Sequence, residues 1–307
     1  MNFAPSEDQR AFLDAVERFV DRQPAAPLVP VRFEHSAQLE HALEDSGFFD
    51  CMAVEELGPV AAALLVMELA RLTTCAETVA SALVAPIACP HLPRPYALLG
   101  ERDDAPARFL PVARTVLRVR DGVLQAATIG PADVEPVDSV FAYPMGVLRA
   151  PASVAWQLLP DFSAGRLRTL LQVGVAAELT GCLAAGLRSV VQHVKDRRQF
   201  GRAIGSFQAV QHRLAECATL IEGAKWLALR AAASGGAVDA AAAAGYAQQA
   251  ARKVAYDLHQ FMGAMGLTLE HPLHRWTYRA KLLMSELGGA ERHLAAAAVA
   301  AWPRTSA

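Results

Sequence analysis

The chain has 307 residues, 53% of them hydrophobic and 20% charged, with a formal net charge of −2. This length supports two or three domains' worth of core, and the composition is that of a globular protein. So small a charge gives no bulk attraction to nucleic acid or to an anionic membrane, so neither is expected as a partner.

Ser6 followed by Gln9 reads as a capping box opening a first helix, with Phe12, Val16, Phe19 and Val20 as its apolar stripe and Pro24, Pro27 and Pro30 ending it. A second helix is expected from Ser36 to Ser46, stopped by Gly47. A third starts after Gly58-Pro59 and runs to about Leu72, and a fourth covers Glu77 to Ala85, before prolines 86, 90, 93 and 95. From Tyr96 to Pro160 helical periodicity fades. Thr115–Val119 and Val123–Ala126 flank Arg120-Asp121-Gly122, a hairpin signal, so a small β module is expected.

From Gly165 the chain is helical again. A long helix to about Lys195 carries small residues at Gly174, Ala177, Gly181 and Ala184, which admit a close helix neighbour. A second begins near Ser206, with Phe207, Val210, Leu214, Ala218, Ile221 and Leu227 on its apolar face, and turns at Ser234-Gly235-Gly236. A third spans Ala237 to Met265, and Leu287-Gly288-Gly289 separates the last two. The alanine runs at 240–244 and 295–301 read as tightly packed helix. The fold class is mainly α: an N-terminal helical domain (1–95), a β module (96–160) and a C-terminal bundle of four or five helices (161–307).

Cys51, Cys75, Cys89, Cys182 and Cys217 are scattered, odd in number and without Cys-x-x-Cys spacing, which fits reduced thiols and a cytoplasmic location. The first ten residues lack a basic-then-apolar leader, and runs such as Ala61 to Met67 are too short to span a bilayer. His271 and His274 lie near His259 in sequence, but no carboxylate or cysteine at matching spacing completes a metal set, so no metal is expected.

The stretch Asp196-Arg-Arg-Gln-Phe-Gly-Arg-Ala-Ile-Gly-Ser-Phe-Gln-Ala-Val-Gln-His-Arg-Leu-Ala215 closely resembles the central signature of the acyl-CoA dehydrogenase family of flavoenzymes. Phe3-Ala-Pro-Ser-Glu-Asp-Gln9 is similar to the family's opening helix. The stretch from His259 to Arg275 is similar to its Gln-x-x-Gly-Gly-x-Gly segment with the glutamate and proline beyond it. The resemblance is strong over 165–300, fair over 1–85 and poor between. It implies FAD held partly by the C-terminal bundle of a neighbouring subunit. Arg197 matches the arginine paired with the FAD diphosphate, where a planar, permanently charged fork suits phosphate oxygens. Gln199 and Phe200 match further contacts in that turn, Phe207 and Gln208 the entry to the next helix, and Gln260 and Gly263 the loop that meets the cofactor. The family's second glycine is Ala264 here. The plain structural alternative is that the turn persists only as architecture, with Phe200 plugging the core.

Two parts of that chemistry are missing. Desaturating an acyl thioester needs an ionised carboxylate to take the α-proton. Where many family members carry a glutamate before a glycine, this chain has Leu287. Glu286 is one residue away, rotated by about 100° on a helix, and is a weak candidate base. Where other members carry the base on the first bundle helix, this chain has Leu171. Glu178, two turns on, reads as a helix-surface or bundle-interface residue. The β module is also shorter than the family's and lacks a Thr-Glu-Pro-x-x-Gly-Ser-Asp-like segment.

Three readings stay open. The chain completes the FAD site of a heteromeric acyl-CoA dehydrogenase without supplying the base. Alternatively it is a self-sufficient enzyme on a CoA- or carrier-bound acyl thioester, or a flavin-free structural protein on the same scaffold. The expected partner is a catalytic acyl-CoA dehydrogenase subunit or a second copy, with the small-residue face at 174–184 buried at the interface.

Overall fold

The structure, a computed structural model, describes residues 5–23, 31–33 and 35–302. Helix α1 (Glu7–Arg22) opens on the expected box: the Gln9 amide donates to Ser6 Oγ (3.2 Å) and the Ser6 amide to Gln9 Oε1 (3.0 Å). The prolines read as its stop, 24, 27 and 30, lie outside the described residues. Helix α2 (Ala37–Asp45) is capped by Ser36, and α3 (Gly58–Leu69) starts with Pro59 in its first turn.

The fourth helical segment differs from expectation. It opens with a π turn over Ala80–Val84, in which the Ala85 amide reaches back to the Ala80 carbonyl, and continues as α4 (Ala85–Ala88). Pro86 does not stop it, because proline is tolerated where a new stretch of helix begins and its missing amide is not needed.

The middle segment folds as two small sheets. One has the order β1 (Tyr96–Leu98), β3 (Thr115–Arg120), β4 (Val123–Thr128), β7 (Gln157–Ser163); the other has β2 (Ala107–Arg108), β6 (Met145–Leu148), β5 (Val134–Val137). The β3–β4 hairpin turns at Asp121-Gly122, both at positive φ (52° and 77°), the backbone that twisted two-residue hairpins require. Val116, Ala127 and Val134 belong to the apolar cluster of this region, while Leu117 and Leu124 join the main core.

Helix α5 (Ala164–Asp196) is the axis of the molecule. Ser163 caps it, and twenty of its residues are buried. It is long and apolar enough to cross a membrane, yet 89% of its most apolar window is buried inside the protein. Around it pack α6 (Gln208–Ser234), α7 (Ala237–Met262), α8 (Leu273–Leu283) and α9 (Gly289–Ala301). Helix α7 ends three residues before the expected Met265, because Gly263 takes a positive φ and the chain tightens into a 3₁₀ turn over Gly263–Leu267.

The small-residue face of α5 has a different neighbour from the one expected. A Cβ on Gly181 would fall 2.1 Å from the Met67 carbonyl oxygen on α3, and one on Gly174 would fall 2.3 Å from Val79 Cγ1. The chain's own N-terminal helices therefore cover this face, and no second subunit is needed to bury it. Because the obstacle at Gly181 is backbone, it cannot swing aside. Gly181→Ala is expected to cost about 1–3 kcal/mol in urea denaturation through overpacking. Gly165→Ala, which meets nothing within 4 Å, should leave stability unchanged or slightly raised.

Candidate functional site

The helix α5 C-terminus leads into a two-residue hairpin. Arg197 is extended; its amide donates to the His193 carbonyl (2.8 Å) and its carbonyl accepts from the Ile204 amide (2.8 Å). Strands β8 (Arg198–Gln199) and β9 (Arg202–Ala203) enclose Phe200 and Gly201, both at positive φ (52° and 78°). Phe200 in this backbone is costly for a bulky residue. Its side chain is 88% exposed, so Phe200 does not plug the core as the structural alternative expected. The tight turn throws the ring outward, where it meets Phe207 edge-to-face at 6.2 Å, with the Arg202 guanidinium 4.0 Å from the Phe207 ring centre. Arg197, Gln199 and Gln208 are exposed. Among the described residues Arg197, Arg198 and Arg202 make no ion pair. Three uncompensated guanidinium groups on one hairpin are a donor set suited to phosphate.

Gln260 and Gly263 lie apart from the hairpin, in an open cleft of about 490 Å³ between the end of α7 and α8. Gly263 has φ 66° and ψ −147°, with nothing within 4 Å of where a Cβ would stand, so bare backbone faces the opening. Arg213 of α6 pairs with Asp257 of α7 and rests 5.0 Å from the Phe261 ring centre.

A second cavity, about 300 Å³, lies where α5, the β module, the π turn and the α8–α9 loop meet. Leu171 and Leu287 both line it. The two chain positions at which the resemblance calls for a base thus converge on one space, and both hold leucine. Leu287 stands in left-handed backbone (φ 57°), with Gly288 and Gly289 after it also at positive φ.

The polar end of this cavity is closed by Arg108. Its Nε and Nη2 donate to the two Glu286 oxygens at 2.8 and 3.2 Å, and its Nη1 to Glu178 at 2.7 Å. Tyr143 Oη donates to the other Glu178 oxygen at 2.7 Å. Glu178 is buried, not on a helix surface as its spacing allowed, because Arg108 and Tyr143 reach it from the β module. Burial pushes the Glu286 carboxyl up and Arg108 pulls it back, leaving it above the ordinary carboxylate range. Both its oxygens are engaged by the guanidinium, so the weak candidate base faces a partner and not an open position.

Glu77 also lines the cavity. It accepts from the amides of Ala80 (2.7 Å) and Ser81 (3.0 Å) and from Ser81 Oγ (2.6 Å). Burial pushes its carboxyl up from the ordinary 4.5 to about 7, against the pull of the Ser81 hydroxyl. Sequence reasoning missed Arg108, Tyr143 and Glu77 as site residues, since each sits in a short or irregular element without periodicity. Elsewhere, His274 is buried and bonds the Val31 carbonyl, and His259 bonds Thr277. Among the described residues no group of three potential ligands could hold a metal, and the five cysteines are free and buried.

Arg108→Met leaves the buried Glu178 and the partly buried Glu286 without their cation and should cost about 3 kcal/mol at neutral pH. The loss should shrink as pH is lowered and an unpaired carboxyl takes up a proton, as chemical denaturation at two pH values would show. Between pH 4.5 and about 7 the folded chain holds the Glu77 proton and the unfolded chain does not. Stability from this group therefore falls as pH rises through that window, by up to about 3 kcal/mol. Glu77→Gln should flatten this part of the stability–pH curve, whatever its effect on absolute stability.

Residues 170–301 match the family model for the acyl-CoA dehydrogenase C-terminal domain. Acyl-CoA dehydrogenase FadE27 of Mycobacterium tuberculosis is 34% identical over 141 residues, covering 42% of this chain and 38% of that relative. The chain therefore spans well under two thirds of its length. Among solved structures, the ChsE4-ChsE5 complex from Mycobacterium tuberculosis superposes with a TM-score of 0.76 at 21% identity, covering 100% of both chains. A glutaryl-CoA dehydrogenase from Mycobacterium smegmatis in complex with FADH2 gives 0.71 at 15% identity, covering 98% of this chain and 96% of its own. The fold of this chain is that of the acyl-CoA dehydrogenases, and residues 170–301 are similar to their C-terminal domain.

Proposed function

We propose that this chain completes the FAD site of a heteromeric acyl-CoA dehydrogenase, which desaturates an acyl thioester, and supplies no catalytic base itself. The observation that carries this reading is the 300 Å³ cavity in which both base positions are leucines and the adjacent Glu286 is held by Arg108. The unpaired arginines of the 197–202 hairpin and the bare backbone at Gly263 support a role in holding the cofactor. In this reading Arg197 grips the diphosphate, Gln199, Phe200, Phe207 and Gln208 shape the hairpin side of the site, and Gln260 and Gly263 border its other end. FAD held by these residues would supply the acceptor for the hydride that leaves the acyl β-carbon. The α-proton must then go to a carboxylate on the catalytic partner subunit, because neither Leu171 nor Leu287 can accept one. The segments 1–95, 96–160 and 161–307 serve as N-terminal cover, reduced β module and cofactor-contacting bundle, and the assembly works in the cytoplasm.

A second reading, a self-sufficient enzyme, is favoured by one observation: Glu77 is a carboxylate in the same cavity with its titration near neutrality. Purified chain, alone and with a co-expressed family member, separates the two. Flavin absorbance should be weak alone and strong in the complex. In an anaerobic ferrocenium assay on several acyl-CoAs, the lone chain should turn over at least about 10²-fold more slowly than the complex. Robust turnover by the lone chain, abolished by Glu77→Gln or Glu286→Gln, would overturn the first reading. A complex that stays colourless would favour the flavin-free scaffold.

A further inference from the structure

We infer that Lys281 is a further phosphate-binding residue of the cofactor site, acting from the cleft that holds Gln260 and Gly263; this rests on the FAD reading above. Lys281 lies in the last turn of α8 and lines that cleft together with Tyr256, His259 and Tyr278. No carboxylate lines the cleft. Among the described residues Lys281 makes no hydrogen bond or ion pair, and it is exposed. His259 adds no charge, since burial holds its imidazole below the ordinary range. The cleft thus contains one cation with no internal partner, beside a glycine whose backbone is open to close approach.

Some cations elsewhere in the bundle are compensated. Arg213 and Lys253 both pair with Asp257, and Arg230 pairs with Asp239. The cationic groups left without a carboxylate on the two candidate cofactor patches are the hairpin arginines and Lys281. A compact ammonium on a flexible stem suits a phosphate oxygen as a point charge that needs no fixed fork geometry. Lysine in the last helical turn also meets the carbonyl end of the helix, worth some tenths of a kcal/mol to stability. That role predicts no change in cofactor affinity, so the two are separable.

The test uses the flavin-bearing assembly, stripped of flavin and titrated with FAD by fluorescence quenching. Lys281→Gln should weaken FAD binding about tenfold and flatten its dependence on salt concentration, and Lys281→Arg should restore most of the affinity. Riboflavin, which has no phosphate, should bind the parent and Lys281→Gln equally. If Lys281→Gln binds FAD as tightly as the parent while Arg197→Ala binds it more weakly, the inference fails and the FAD reading stands. If no assembly takes up FAD, both fail together.

Discussion

Everything in this fold is arranged about one backbone-to-backbone approach. Gly181 lets the Met67 carbonyl of α3 lie directly against α5, and Gly174 does the same for Val79 at the π turn. With the N-terminal helices held this close, α5 is enclosed along most of its length, and the π turn reaches the cavity whose other wall includes Leu171 and Val175. Interiors packed to this density transmit any added methyl to their neighbours.

The second organising feature is electrostatic. Arg108 comes from a strand of two residues, yet it ties the β module to α5 through Glu178 and to the α8–α9 loop through Glu286. A guanidinium shared by two carboxylates recovers part of the cost of burying all three, and the Tyr143 hydroxyl satisfies a remaining lone pair. The same arrangement sets the chemistry. It fixes the loop that carries Leu287 in left-handed backbone, and it occupies the nearby acid able to take a proton from that side. The small β module therefore has a structural task, to deliver Arg108.

The hairpin after α5 obeys the opposite logic. It is exposed, rich in unpaired guanidinium groups, and strained at Phe200. The two places differ in kind: charge is paired inside the fold around Arg108 and left uncompensated at the surface of the hairpin.

Local features were legible from the sequence because the physics behind them is local. The Ser6–Gln9 capping box, the Asp121-Gly122 turn, the long helix of 164–196 and the Phe200-Gly201 hairpin each depend on side chains and φ values within a few positions. The absence of a carboxylate at 171 and 287 was likewise readable, since leucine cannot ionise in any fold. Tertiary structure decided the rest. Arg108 meets Glu178 across 70 positions and Glu286 across 178, a distance over which no periodicity carries information. It decided that α3 covers the small face of α5, that Phe200 points to solvent, and that Leu171 and Leu287 share one cavity. Each of these is a choice among surfaces that are equally apolar or equally charged in the sequence, and only packing in three dimensions distinguishes them.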